Sequence, residues 1–292
     1  MSFLDAHQHV WDLGHRPQPW IDPVELAAIH HSFALADLRP LAEAAGVTGT
    51  VLVQCLQVVE ETREFLALAG TDPLVAGVVG WTDLQAESVA DDLAELAAGP
   101  GGSALVGIRH LVQADPDPDW LTRTATRRGL ATLGAAGLSF DLLVTPGQLA
   151  SVVDTVAALP QLSFVLDHFA SPPIAAGDLT GWEQAIRPLA ALPNLVAKVS
   201  GLVTAASWEN WTTDDLRPVV EVALEAFGPD RLMFGSDWPV CVLAADYGAV
   251  VDAAMTLVLP GLSPSEEHAF RAGTAARAYR LVLPDQPKEA AR

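Results

Sequence analysis

The chain has 292 residues, half of them hydrophobic and 18% charged, enough apolar material for a large core and a length that suits one α/β barrel. Asp and Glu number 36 against 16 Lys and Arg, a formal charge of −20. Such a field repels phosphate backbones and anionic lipid, so neither nucleic acid nor membrane is expected as a partner.

No basic start followed by a long apolar run opens the sequence, and no stretch approaches the ~20 apolar residues needed to cross a bilayer. Its two cysteines, Cys55 and Cys241, are too few for a disulfide framework. The expectation is a cytoplasmic protein with reduced thiols, a single domain over residues 1–292, working as a monomer or homodimer.

Short β-branched runs alternate with longer Ala/Leu-rich amphipathic stretches along the chain. FLDAHQHV from Phe3 is the first strand candidate, followed by TGTVLVQCL from Thr48, VAGVVGWT from Val75 and LVGIRHLV from Leu105. LSFDLLV from Leu138, LSFVLDHF from Leu162, LVAKVSGL from Leu195 and RLMFGSDW from Arg231 complete the series. Such continuous apolar runs suit parallel strands buried on both faces. EETREFLALAG, AESVADDLAELAAG and DDLRPVVEVALEAFG are helical patterns, each with early acidic residues and a terminal Gly.

Eight strand–helix units predict a distorted (β/α)8 TIM barrel. A doubly wound sheet would usually carry a Gly-rich loop after its first strand, and DAHQHVWD stands there instead. From about Trp11 to His31 the sequence holds Pro17, Pro19 and Pro23 with Trp11 and Trp20, which reads as a long loop over the barrel mouth.

Chemistry in such a barrel gathers at the C-terminal ends of the strands. The polar residues at those ends are His7 and His9 on strand one, Gln54 on two, and Arg109 with His110 on four. Asp141 lies on five, Asp167 and His168 end six, Lys198 is on seven, and Ser236 and Asp237 end eight. Each alone has a structural explanation: a hydrogen-bonded histidine, a snorkelling lysine, an aspartate shaping a turn. Their gathering at one end of one barrel is the functional signal. Trp11, Trp20, Trp81 and Trp238 are candidates for an apolar wall, whereas His15, His30, His31 and His268 read as surface or structural residues.

The motifs DAHQHVWD, GIRH, LDHFASPP, KVSGL and MFGSDWPV together resemble the amidohydrolase superfamily. They are most similar to the amidohydrolase 2 (amidohydrolase-related) branch that includes sugar lactonases and pyrone dicarboxylate lactonase. The resemblance implies hydrolysis at the barrel mouth, with Asp237, His168 and Arg109 catalytic. His110, Lys198, Gln54, Trp81 and Trp238 are then expected to bind substrate, and His7, His9 and Asp237 to hold a metal if one is bound. Strand five lacks the His of metal-rich members, and strand four carries Arg109 and His110 where those have a bridging lysine.

The expected reaction is opening of a hydroxylated lactone, a sugar-derived one such as L-fuconolactone or L-rhamnonolactone. It would use no organic cofactor and either no metal or one Zn²⁺ or Mn²⁺. The alternative is a metal-dependent amidohydrolase or decarboxylase. A class I aldolase using Lys198 and a non-catalytic sugar-binding barrel are the other readings.

Overall fold

Each of the predicted apolar runs folds into one strand, and in the computed structural model, which describes residues 2–282, all eight lie in one parallel sheet. The strands are β1 Leu4–Gln8, β2 Gly49–Val53, β3 Val75–Gly80, β4 Leu105–His110, β5 Ser139–Leu142, β6 Ser163–Leu166, β7 Leu195–Val199 and β8 Leu232–Phe234. Their order in the sheet is their order in the chain. Crossover helices cover the outside: α1 Leu35–Ala44, α2 Val59–Ala69, α3 Val89–Ala98, α4 Thr124–Ala135, α5 Leu149–Ala158, α6 Thr180–Ala190, the short α7 Leu202–Ala205, α8 Thr213–Phe227 and α9 Tyr247–Val258. The fold is the (β/α)8 barrel that the sequence pattern predicts. Among the described residues no helix is long and apolar enough to cross a membrane.

The barrel closes between β1 and β8, and it does so at the site end. Gln8 bridges to Trp238, His9 N–H donates to the Trp238 carbonyl at 2.7 Å, and Asp237 N–H donates to the His7 carbonyl at 2.8 Å. Strand eight is short because the chain from Gly235 to Trp238 leaves it to make this junction. The buried Asp5 carboxylate reinforces the closure, accepting from Ser236 N–H at 2.8 Å, His7 N–H at 3.1 Å and the Tyr247 hydroxyl at 3.1 Å.

Inside the barrel, Leu4, Ala6, Val51, Val53, Val79 and Met233 pack against the C-terminal segment. That segment runs through α10 Pro264–His268, a π-helical turn Ala269–Gly273 and α11 Thr274–Tyr279. Outward residues such as Leu52, Val78, Ile108, Phe140 and Phe164 meet the helices.

Strand β1 changes phase part-way. Asp5 pairs with Thr50 but Gln8 pairs with Leu52, so β1 has one more residue than β2 across this interval. Leu4 and Ala6 therefore face inward by simple alternation, whereas beyond the bulge His7 and His9 face inward and Gln8 turns to Thr50. A bulge of this kind re-aims side chains, and here it turns both imidazoles toward the barrel axis.

The long loop is a strap whose base is pinned by an antiparallel bridge between Trp11 and Phe33, with N–H to carbonyl distances of 3.0 and 2.8 Å. Trp11 Nε1 also donates to the His31 carbonyl at 2.7 Å.

Candidate active site

His7 and His9 face each other edge-on, their Nε2 atoms 3.1 Å apart. His9 Nδ1 lies 2.7 Å from the Val53 carbonyl, which can only accept, so the proton sits on Nδ1 and the Nε2 lone pair faces the site. His7 is enclosed by charge. Its Nδ1 lies 3.0 Å from Lys198 Nζ and 3.3 Å from Asp167 Oδ1, and its Nε2 lies 3.3 Å from Arg109 Nη1. Burial, aided by the Lys198 ammonium, pushes the His7 pKa well below the ordinary imidazole value despite the pull of Asp167.

Asp237 sits at the centre, its Oδ1 3.5 Å from His9 Nε2, 3.7 Å from His7 Nε2 and 3.9 Å from His168 Nε2. Its backbone is left-handed, with φ of 58°, which re-aims the side chain as the strand ends. His168 begins a longer departure: His168, Phe169, Ala170 and Ser171 all have φ between 49° and 60°. Left-handed geometry costs about 1–2 kcal/mol per non-glycine residue. Burial of Phe169 and Ala170, and the 2.7 Å bond from Trp182 Nε1 to the Phe169 carbonyl, offset that cost. Ser200 Oγ holds His168 Nδ1 at 2.8 Å, and Gly201 leaves room for the ring. Burial lowers the His168 pKa, outweighing the pull of Asp237 and Asp167.

Below this ring lies a buried ionic array that the sequence reading places differently. Lys198 is expected from the sequence at the mouth, touching substrate; the structure puts its ammonium inside the barrel with 0% exposure. Its three neighbours are Asp141 Oδ2 at 2.6 Å, Asp167 Oδ1 at 2.9 Å and His7 Nδ1 at 3.0 Å. A four-carbon stem starting on β7 points into the barrel interior, where two carboxylates compensate its charge. The same burial removes Lys198 from reach as a Schiff-base amine. Asp141, a strand-five residue expected near the mouth from its position, is likewise sealed in and accepts from the Tyr279 hydroxyl at 2.7 Å. Burial raises the Asp141 pKa to about 6 against the pull of Lys198. Burial acts the same way on Asp167, but Lys198, His7 and Arg109 overcome it and hold that carboxyl well below its usual range.

Above the ring is a cavity of about 290 Å³ whose lining includes His9, Arg109, His168 and Asp237, with Trp20 from the strap. Its size suits a small ligand. Four further residues expected to bind substrate do not line it. Gln54 is fully buried, with Nε2 on the Arg109 carbonyl at 3.3 Å. His110 is stacked on Trp120 at 3.9 Å and held by Asp115 at 2.7 Å, and it receives Trp81 Nε1 at 3.3 Å, so both residues are occupied with each other. Trp238 packs edge-on against Phe33 beneath the strap. In each case the side chain finds partners on the outer or lateral side of its strand end, a direction that residue type does not reveal. Gln113, Ser171, Leu111, Leu143 and Val240 line the cavity instead. They stand on loops after the strands, where no periodicity marks them.

The amidohydrolase family model matches residues 4–281. The chain belongs to the amidohydrolase family. It is 38% identical to an L-fucono-1,5-lactonase of Burkholderia ambifaria, over 99% of this chain and 100% of that protein. It is also 38% identical to an L-fucono-1,5-lactonase of Burkholderia multivorans, over 96% of this chain and 97% of that one. Among solved structures, an amidohydrolase from Burkholderia multivorans with bound zinc superposes with a TM-score of 0.90 at 36% identity, covering 97% of this chain and 100% of that chain.

Amidohydrolases often carry a divalent metal, and the donor set here fits one ion. Ligand atoms of His7, His168 and Asp237 lie within 4.8 Å of one another, and His9 Nε2 joins them beside Asp237. Imidazole nitrogens with one carboxylate are the donors of catalytic zinc sites. Asp167, 3.3 Å from His7 Nδ1 with Oδ1 lacking a well-aligned hydrogen bond, stands where a supporting carboxylate orients a metal-bound histidine.

Proposed function

We propose that this amidohydrolase opens the ring of a hydroxylated, sugar-derived lactone, with Asp237 handling the proton. The observation that carries the reading is the Asp237 carboxylate facing three imidazoles in the wall of a cavity sized for one sugar ring. The full-length likeness to L-fucono-1,5-lactonases supports the substrate class, with L-fuconolactone first and L-rhamnonolactone next among substrates to try.

In this mechanism a water in the cavity attacks the lactone carbonyl carbon as Asp237 accepts its proton. The electron pair of the carbonyl moves to oxygen, giving a tetrahedral oxyanion. Collapse re-forms the carbonyl and breaks the ring C–O bond, and Asp237 returns the proton to the departing alkoxide, leaving a hydroxy acid. A positioned proton carrier contributes roughly 10²–10⁴ in rate. In this mechanism Ser200 Oγ takes the donor role in its 2.8 Å contact with His168 Nδ1, so that neutral His168 carries its proton on Nε2 and offers it to the oxyanion. Such a donor is worth about 10²–10³.

Arg109 acts through its field, because Nη1 is held by Asp167 at 3.1 Å and Nη2 by the Gln54 carbonyl. His7, His9 and Asp237 are the residues that would hold a divalent ion, and His168 would join them only by giving up its donor role at Nε2. Such an ion, when bound, polarises the carbonyl and acidifies water. The two buried free cysteines agree with a reducing, cytoplasmic setting.

The test is a pH-indicator assay on a panel of five- and six-membered aldonolactones, with Asp237→Asn as the blank and with and without chelator. Turnover above the blank on at least one lactone is expected, and the chelator response reports whether an ion is required. Rates equal to the blank across the whole panel would overturn the proposal.

A further inference from the structure

Two kinds of surface line the cavity. His9, Arg109, Gln113, His168, Ser171 and Asp237 form the polar part, and Trp20 with Leu111, Leu143 and Val240 most of the apolar part. Trp20 alone among the apolar members comes from the strap, and the residue remains 39% exposed. An aromatic plane left open beside a buried polar cluster invites an apolar ligand group.

The indole is nevertheless held. Its Nε1 donates to Gln18 Oε1 at 2.8 Å, and its ring meets Trp11 edge-on at 5.5 Å and 86°. Gln18 is 5% exposed and reaches Glu61 Oε1 through Nε2 at 3.4 Å. Glu61, on α2, is itself 2% exposed, and its Oε2 accepts from Cys55 N–H at 2.7 Å and Leu56 N–H at 2.8 Å. One buried carboxylate thus ties the strap to the loop after β2, where Cys55 lines the same cavity. Trp20 is set in place before any ligand arrives, which lowers the ordering cost of binding.

We propose that Trp20 determines which lactone is accepted, presenting an apolar wall that favours the methyl group of a 6-deoxy-sugar lactone over the hydroxymethyl group of the matching hexonolactone. Gln18 and Glu61 are its positioning residues. This inference rests on the lactonase reading above and narrows it. A methyl group loses its water against the indole and the neighbouring aliphatic side chains. A hydroxymethyl group placed there gives up hydrogen bonds to water that the apolar wall does not replace. Apolar pockets discriminate against an added hydroxyl only up to about 10²-fold, so the expected preference in kcat/KM is about 10- to 100-fold.

The experiment measures kcat/KM for L-fuconolactone and L-galactonolactone in the same ring form, which differ only in methyl against hydroxymethyl. It compares the wild-type chain with Trp20→Ala, Trp20→Phe and Gln18→Ala, each checked for thermal unfolding. Trp20→Ala is expected to bring the ratio toward one, mainly by raising KM for the deoxy substrate. Trp20→Phe should keep most of the preference and Gln18→Ala should fall between them. Equal wild-type use of both lactones, or a ratio unmoved by Trp20→Ala, would overturn the inference while leaving the lactonase reading intact. If Trp20→Ala does not fold, an unchanged ratio in Gln18→Ala is the overturning result. Wild-type rates no higher than the Asp237→Asn blank on both lactones would remove the reading on which the inference rests, and the inference with it.

Discussion

Lys198 and His7 meet at 3.0 Å inside the barrel, both without solvent exposure. The lysine thereby links the site to the core, since the same ammonium holds Asp141 and Asp167 and lies 5.5 Å over the Tyr279 ring of the C-terminal helix. Four elements of the barrel, β1, β5, the turn after β6 and α11, converge on this one group.

Replacing Lys198 should therefore be a stability mutation before it is a catalytic one. Lys198→Met leaves two buried carboxylates without their shared cation, and breaking such a pair typically costs about 3–5 kcal/mol. Asp141→Asn in the Lys198→Met background should restore part of the loss, because one uncompensated charge is gone. Urea denaturation of the wild type, the two single variants and the double variant measures the coupling. Strictly additive losses would contradict the array described above.

Gly201 provides a catalytic counterpart. Its φ is +64°, and a Cβ there would stand 2.7 Å from His168 Nδ1 and 2.8 Å from Cγ. Gly201→Ala must move either the imidazole or the backbone that supports it. The expected result is a fall in kcat of roughly 10²-fold, the worth of one misplaced oxyanion donor, with KM changing much less. A variant with wild-type kcat would show that His168 is not held to its task by this cradle.

The histidines make a prediction for the activity profile. Burial depresses the pKa of both His7 and His168, so each keeps its neutral form to lower pH than an ordinary imidazole does. Their protonation should not produce a limb in kcat/KM near pH ~6.5, the unperturbed value. A limb centred there and abolished by His168→Gln would contradict the neutral-donor role.

The barrel was legible because its signal is repeated: each apolar run forms a strand, and the run beginning at Phe3 already carries two imidazoles of like direction. The gathering of His7, His9, His168, Arg109 and Asp237 follows from strand-end position alone, which in a closed barrel puts distant residues side by side. Depth was not legible. Lys198 and Asp141 are strand residues like His7, and whether an inward side chain reaches the mouth or the interior depends on stagger and on the bulge after Asp5. Nor does sequence show which way a strand-end residue leans, so Trp81, His110 and Trp238 read as cavity residues although their partners lie to the side. Trp20 was visible as an aromatic in the long loop, but its place over the cavity depends on Gln18 and Glu61.

Asp5 offers a pH test of the closure between β1 and β8. Burial raises its pKa from 3.8 to about 6, against the hydrogen bonds from Ser236, His7 and Tyr247. With the folded value above the unfolded one, the native state binds more protons between those two values. Stability from this group is thus full below pH ~4, falls as pH rises toward 6 and is flat beyond. The total fall is of order 3 kcal/mol, because each pH unit separating the folded from the unfolded value is worth about 1.4 kcal/mol. Asp5→Asn preserves the geometry: its amide oxygen can accept from the Ser236 and His7 N–H groups, and its NH₂ can donate to the Tyr247 oxygen. The variant carries no charge to desolvate, so its stability relative to wild type should rise from pH 4 to 6 and then level off. Guanidinium melts of both proteins at half-unit steps from pH 4 to 8 would show this. A stability difference independent of pH across that window would mean that Asp5 is ionised in the folded barrel throughout, its N–H donors outweighing its burial.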